Sequence, residues 1–308
     1  MQVYNSVASY RAWRASLSAD STVGVVPTMG ALHAGHLSLA RAAATANTHV
    51  VVTIFLNPAQ FAPTEDLASY PKTMDQDLAA LEALNASLPP SASGQVTTVF
   101  APTVAEMYPA GIPLVRNEQV GTFIEVVPLS AALEGGTRPH FFRGVATVCT
   151  KLFNITRPHN VYFGQKDVQQ TVILKRLLRD LHFDITMTVV PTEREADGLA
   201  MSSRNVFLSG ERRKAAPVLY KALRAAEDVY NGGEGRASVI LEAARQVLER
   251  EGAGMMKLDY VSLNESELLR EVDTVERGKG VILSAAMWVL PTVEGEGTVR
   301  LIDNLILE

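Results

Sequence analysis

Short, almost wholly apolar runs recur along the first two-thirds of this chain, and longer helix-like stretches lie between them. The runs are residues 23–26, 50–56, 96–100, 161–163 and 185–190; the helix candidates are 36–46, 74–84, 145–154 and 168–181. A strand that is apolar on both sides must be covered on both sides, which helices achieve by returning over each face of a parallel sheet. The alternation predicts a doubly wound α/β domain, with ligands bound at the carboxyl ends of its strands. After Asn205 the rhythm changes. Helical stretches at 210–230 and 237–251, separated by 231–235, precede strand candidates at 258–263, 281–286 and 298–303. That succession describes a smaller α+β domain, with the boundary between Pro191 and Asn205. Residues 88–95 read as a loop, and the irregular region 101–143 as a segment flanking a pocket.

The most informative junction is 23–46. Residues 23–26 read as a buried strand, 27–30 as a turn, and His36 onward as a helix with Leu37, Ala40 and Ala44 on its apolar face. His33 and His36 bracket Gly35, where backbone can approach a ligand closely, and the start of the helix offers N–H groups suited to phosphate. Either histidine could simply finish the helix. As a cation or donor, however, it opposes the macrodipole, a conflict that a bound polyphosphate would resolve. The junction is read as a nucleotide site.

Composition narrows the partners. A formal charge of −5 without a basic stripe argues against a nucleic-acid binder. Cys149 is the single cysteine, so neither an intrachain disulfide nor a thiolate cluster forms, and its apolar surroundings make it a packing residue. The N-terminus lacks a basic segment followed by a long apolar one, and no apolar stretch approaches the roughly 20 residues of a membrane span. A cytoplasmic protein with no membrane partner is expected.

The run His33-Ala34-Gly35-His36 after an apolar strand resembles the HIGH motif of the nucleotidyltransferase superfamily, shared with class I aminoacyl-tRNA synthetases. Met201-Ser202-Ser203-Arg204 resembles that superfamily's second motif, although alone it reads as a helix-capping loop. Five further stretches follow in order: FLNPAQF (55–61), EDLASYPKT (65–73), FAPTVAEMYPAG (100–111), FRGVATVCTKLFN (142–154) and FGQKDVQQ (163–170). Together with PTMGALHAGH (27–36) and READGLAMSSRN (194–205), they make the chain similar to the pantoate–β-alanine ligases, or pantothenate synthetases.

This resemblance implies a Rossmann-like domain over 1–192 that binds ATP and pantoate, and a smaller C-terminal lid domain over 193–308. It places ATP against Met29, Gly30, His33, Gly35 and His36, against Gly164, Gln165, Lys166 and Asp167, and against Met201, Ser202, Ser203 and Arg204. His33, His36, Lys166 and Arg204 become the catalytic groups around the triphosphate, and Asp167 the ribose ligand. Gln60 and Gln170 take the positions that hold pantoate and β-alanine. Neutral amides suit a hydroxylated acid, because they can accept from its hydroxyl and donate to its carboxylate. Mg²⁺ accompanies ATP, with Asp77 as the candidate metal ligand and a solvated helix-start carboxylate as the other reading. The implied assembly is a homodimer. The implied reaction activates pantoate as an adenylate and then transfers it to the β-alanine amine, with no protein nucleophile.

Two departures point toward the fungal branch of the family. The chain reads Arg138-Pro139-His140-Phe141-Phe142-Arg143-Gly144 where many members carry a Gly-His pair, and Gln165 where bacterial members usually carry Glu. The role of His140 stays open. An enzyme adenylylating a phosphate ester would want Lys or Arg at the acceptor pocket, where Gln60 and Gln170 are neutral. A catalytically silent nucleotide-binding regulator would show broken ATP motifs, whereas His33, His36, Lys166 and Arg204 are all present.

Overall fold

A computed structural model describes residues 1–63, 65, 67–252 and 254–308; Asp66, in the 65–73 motif, lies outside the described residues. The chain runs β1 (Gln2–Tyr4), α1 (Val7–Ser16), β2 (Val23–Thr28), α2 (Ala34–Ala46), β3 (His49–Ile54), α3 (Met74–Ala86), β4 (Gln95–Phe100), α4 (Val104–Met107), α5 (Glu134–Thr137), α6 (Phe141–Thr156), β5 (Asn160–Gly164), α7 (Val168–Asp180) and β6 (Thr186–Val190). It continues through α8 (Gly210–Ala215), α9 (Val218–Asn231), α10 (Ala237–Gly252), β7 (Met256–Glu265), β8 (Val281–Val289) and β9 (Val299–Leu307). These elements form two compact units, one of residues 1–164 with 173–191 and one of 165–172 with 192–308.

The first unit holds a six-stranded, all-parallel sheet in the order β1-β4-β3-β2-β5-β6. From β2 the chain winds outward through β3 and β4, then restarts on the other side of β2 with β5 and β6. The reversal between β2 and β5 is the switch point of a Rossmann-like fold, the place where such sheets bind ligands. Leu39, Ala40, Ala43, Leu81 and Leu84 of α2 and α3 pack with Val26, Val50 and Val52 on one face. Val25 and Val51, one residue out of phase, are equally buried on the opposite face, where α6 packs on β2. Cys149 on α6 is a buried packing residue, and burial pushes its thiol up to about 12.

Two boundaries near the expected turn differ from the sequence reading. Strand β2 runs through Pro27 to Thr28, and α2 starts at Ala34 rather than His36. The Thr28 N–H and carbonyl both bond on the β3 side, to Thr53 Oγ1 and Phe55 N, so Pro27 faces the β5 side, where pairing stops at Val25. A residue without an N–H costs nothing there. Helix α6 begins at Phe141, four residues before the expected 145, and the irregular 101–143 region contains α4, α5 and short 3₁₀ turns.

In the second unit β7, β8 and β9 form an antiparallel sheet. Leu283, Ala285 and Met287 of β8 join Leu219 and Leu223 of α9 and Ile240 of α10 in its core. The helical stretch expected over 210–230 is split at Ala216–Pro217, because Pro217 has no N–H for the helix ladder. No helix among the described residues is long and apolar enough to cross a membrane.

Candidate active site

The loop leaving β2 turns on Gly30 at φ +85° and Ala31 at φ +51°, two consecutive residues in the left-handed region. A non-glycine residue held there is strained, and the restraint comes from α3. Asp77, only 2% exposed, accepts hydrogen bonds from Ala31 N at 3.0 Å, Leu32 N at 2.8 Å and Thr73 Oγ1 at 3.1 Å. The candidate metal ligand is thus occupied as a backbone brace. Among the described residues no cluster of three or more His, Cys, Asp or Glu could hold a metal ion. Mg²⁺ needs a near-octahedral set of oxygens, and a lone carboxylate already receiving three donors does not fit it.

His33 and His36 complete the start of α2. The Gly35 N–H donates to His33 Nδ1 at 3.2 Å and the His33 N–H donates to His36 Nδ1 at 3.4 Å, forming a reciprocal capping box. The imidazole rings lie 4.1 Å apart. The clash with the macrodipole therefore disappears in the neutral rings, which turn a lone pair toward the N–H groups and carry their proton on Nε2. The cap uses Nδ1 of each ring.

Gln60 sits on the 3₁₀ turn Pro58–Gln60 after β3 and is 7% exposed. Asn57 Nδ2 donates to Gln60 Oε1 at 3.0 Å, and Tyr108 OH donates to Asn57 Oδ1 at 2.7 Å. Gln60 Nε2 in turn donates to Met29 Sδ at 3.1 Å. The turn lies flush on α6 because Gly144 has no side chain: a Cβ there would strike the Ala59 carbonyl and come within 2.6 Å of Gln60 N. Arg138 reaches the Gln60 carbonyl at 3.4 Å and also grips Glu65, whose Oε1 stands 3.2 Å from His140 Nε2. Burial alone would raise the Glu65 carboxyl, but hydrogen bonds and charge from His140 and Arg138 outweigh it and hold the group at about 2. His140 thereby joins a network that ends on the Gln60 backbone.

Gly164 closes β5 at the carboxyl edge of the first unit. In the second unit, Gln165, Lys166 and Asp167 form a 3₁₀ turn ahead of α7, with Lys166 Nζ 4.0 Å from Asp167 Oδ1. Gln170 lies half-exposed on the first turns of α7. Further along, Ser202 Oγ accepts from Arg204 N at 3.3 Å and caps the 3₁₀ turn Ser203–Phe207 that follows Met201. Lys166 and Ser202 line one small cavity with Asn205, Tyr220, Arg300 and Asp303. Met29, Gly30, His33, Gly35, His36, Gln60 and Gly164 accordingly belong to the first unit; Gln165, Lys166, Asp167, Gln170 and 201–204 belong to the second.

Three supporting residues escaped the sequence reading. Tyr108 orients Asn57 from 51 residues away and leaves no local signature. Asp303 and Asn304 interrupt an apolar strand, RLIDNLIL, at 4% and 1% exposure. Buried polar side chains in a strand require partners, and that is the signal that could have found them.

A family model described as Pantoate-beta-alanine ligase matches residues 2–306. The pantothenate synthetase of Roseiflexus castenholzii is 46% identical over 308 residues, covering 100% of both chains. The pantoate–β-alanine ligase of Saccharomyces cerevisiae is 41% identical over 319 residues, again covering 100% of both. The crystal structure of pantothenate synthetase from Thermus thermophilus matches with a TM-score of 0.83 at 40% identity, covering 99% of each chain. The bacterial relative stands above the yeast one. A family model spanning 2–306 and relatives more than 40% identical along their whole length show that the chain belongs to the pantoate–β-alanine ligase family, enzymes that condense pantoate with β-alanine to pantothenate in an ATP-dependent reaction.

Proposed function

We propose that the condensation runs through a bound pantoyl adenylate and that the two groups of motif residues divide its chemistry. A pantoate carboxylate oxygen attacks the α-phosphorus, the bond to the bridging oxygen breaks, and pyrophosphate leaves. The β-alanine amine then attacks the acyl carbon, the acyl–oxygen bond breaks, AMP departs and the amine loses a proton. The observation carrying this reading is the contact of Gln60 Nε2 with Met29 Sδ, which sets the amide assigned to pantoate against the loop assigned to ATP.

Gln60 and Gln170 orient pantoate through their amides. Met29, Gly30 and Gly35 let adenosine and phosphate approach the backbone of the first unit, and His33 and His36 offer Nε2–H to the triphosphate. Gly164, Gln165 and Met201 contribute backbone, Asp167 holds the ribose, and Lys166, Ser202, Ser203 and Arg204 stabilise the charge that grows on the α-phosphoryl group and the departing pyrophosphate. Removing one such donor costs about 3 kcal/mol in the transition state. Cys149, buried with its thiol raised to about 12, takes no covalent part. Mg²⁺ enters with ATP as substrate, coordinated by phosphate oxygens and water, and no step runs through a protein-bound ion.

The assignment of 1–192 as the domain for ATP and pantoate and of 193–308 as a second, smaller domain belongs to the same reading. So do a cytoplasmic homodimer acting only on small molecules and a fungal-type character confined to Gln165 and 138–144. Isotope exchange between pyrophosphate and ATP tests the core of it. Exchange is expected to require pantoate but not β-alanine, with AMP released only when β-alanine is added. Exchange without pantoate, or release of ADP, overturns the assignment.

A further inference from the structure

The ATP residues assigned to the second unit come from two separate segments, 165–167 and 201–204, and one dipeptide of the last strand is bonded toward both. Asn304 Nδ2 donates to the Gln165 carbonyl at 2.8 Å and to the Lys166 carbonyl at 3.0 Å, while Gln165 Nε2 donates to Asn304 Oδ1 at 3.3 Å. Its neighbour Asp303 takes the Arg194 guanidinium in two bonds, at 2.6 and 2.9 Å, and accepts the Asn304 N–H at 2.8 Å. Arg194 donates onward to the Gly198 carbonyl at 3.1 Å, lies over the Tyr220 ring and pairs with Ala200, immediately before Met201. Side chains at adjacent strand positions point to opposite faces, so the Asp303-Asn304 pair grips one segment on each face of β9.

We infer that Asp303 and Asn304 are positioning residues that hold the Gln165–Asp167 turn and the Met201–Arg204 loop in a common register for ATP; this rests on the reading of those segments as ATP-binding. The chemistry is specific to an amide at 304. Two backbone carbonyls converge on that side chain and need a donor, which Asn supplies and an isosteric carboxylate cannot. At 303 the requirement is reversed, because a fixed guanidinium needs a carboxylate that matches its fork. Both side chains are almost completely buried, so water does not replace what is removed.

The test separates positioning from stability and from failure of the ATP reading. Asn304→Asp is expected to raise the KM for ATP at least tenfold while the KM for pantoate changes less than twofold, and to speed amide exchange at Lys166 and Asp167. Asp303→Asn is expected to raise the KM for ATP and speed exchange at Met201 to Arg204. Ser284, the register partner of Asn304 on β8, is equally buried and serves as the control. Ser284→Ala is expected to shift the melting temperature without moving the KM for ATP. Equal effects of Asn304→Asp on both substrate KM values, or an Asn304→Asp phenotype matched by Ser284→Ala, would refute the positioning role. Lys166→Ala run in parallel identifies which premise failed. If it raises the KM for ATP or lowers kcat and Asn304→Asp does neither, the inference falls alone; if Lys166→Ala changes neither, the ATP assignment falls with it.

Discussion

Replacing Asp77 tests whether it braces the loop after β2 or binds a metal. Asp77→Ala removes the acceptor of three hydrogen bonds, of which the two that hold the loop come from Ala31 N at 3.0 Å and Leu32 N at 2.8 Å and the third, from half-buried Thr73 Oγ1, is left out of the sum. Bonds to a charged group contribute about 1.5 to 3 kcal/mol each, and because Ala31 and Leu32 are only half-buried their N–H groups recover some water, so the low end applies. The expected loss is about 3 kcal/mol, or about 6 to 12 °C in melting temperature at roughly 2 to 4 °C per kcal/mol for a domain of this size. Asp77→Asn retains one acceptor oxygen and is expected to lose about half as much. Released from its brace, the loop at Gly30 and Ala31 no longer holds its left-handed geometry, and the KM for ATP is expected to rise about tenfold, near 1.4 kcal/mol of binding. Circular-dichroism melts and ATP titrations measure both effects. A Mg²⁺ titration at fixed ATP supplies the refutation: an unchanged melt together with a several-fold rise in the Mg²⁺ needed for half-maximal rate would make Asp77 a metal ligand and end the brace argument.

The other expectations concern groups around the same elements. Glu65 titrates near 2 in the folded chain against an ordinary 4.5, so its network contributes fully above about pH 4.5 and its contribution disappears as the pH falls toward 2; urea unfolding of Glu65→Gln should show a flatter acid limb, and an unchanged limb contradicts the network. His33→Ala should cost about 1 kcal/mol through the lost cap, while His33→Asn should restore stability without restoring adenylation; restoration of both would confine His33 to capping. Gly144→Ala should push the Pro58–Gln60 turn off α6 and raise the KM for pantoate more than that for ATP, and equal changes would count against it. Cys149 should resist alkylation in the folded enzyme and react on unfolding, with rapid labelling of the native protein as the contrary result.

The sequence by itself determined the layered architecture. Residues 23–26, 50–56 and 161–163 are apolar on both sides, and a chain can bury them only in a parallel sheet with helices on both faces. The strand-to-helix junction at 27–36 was legible because glycines and capping side chains act on the nearest residues, within the reach of local pattern. Tertiary structure alone decided which nitrogen of His33 and His36 faces the helix, since the same residue type can cap or donate according to its rotation. It also set the Asp77 carboxylate against the loop after β2: its partners, Ala31 and Leu32, lie 46 and 45 residues away, and no periodicity encodes a bond of that span. The same holds for Tyr108 on Asn57 and Asn304 on Gln165. Local chemistry specifies which backbone groups are left without partners, and only the folded chain specifies which distant side chain supplies them.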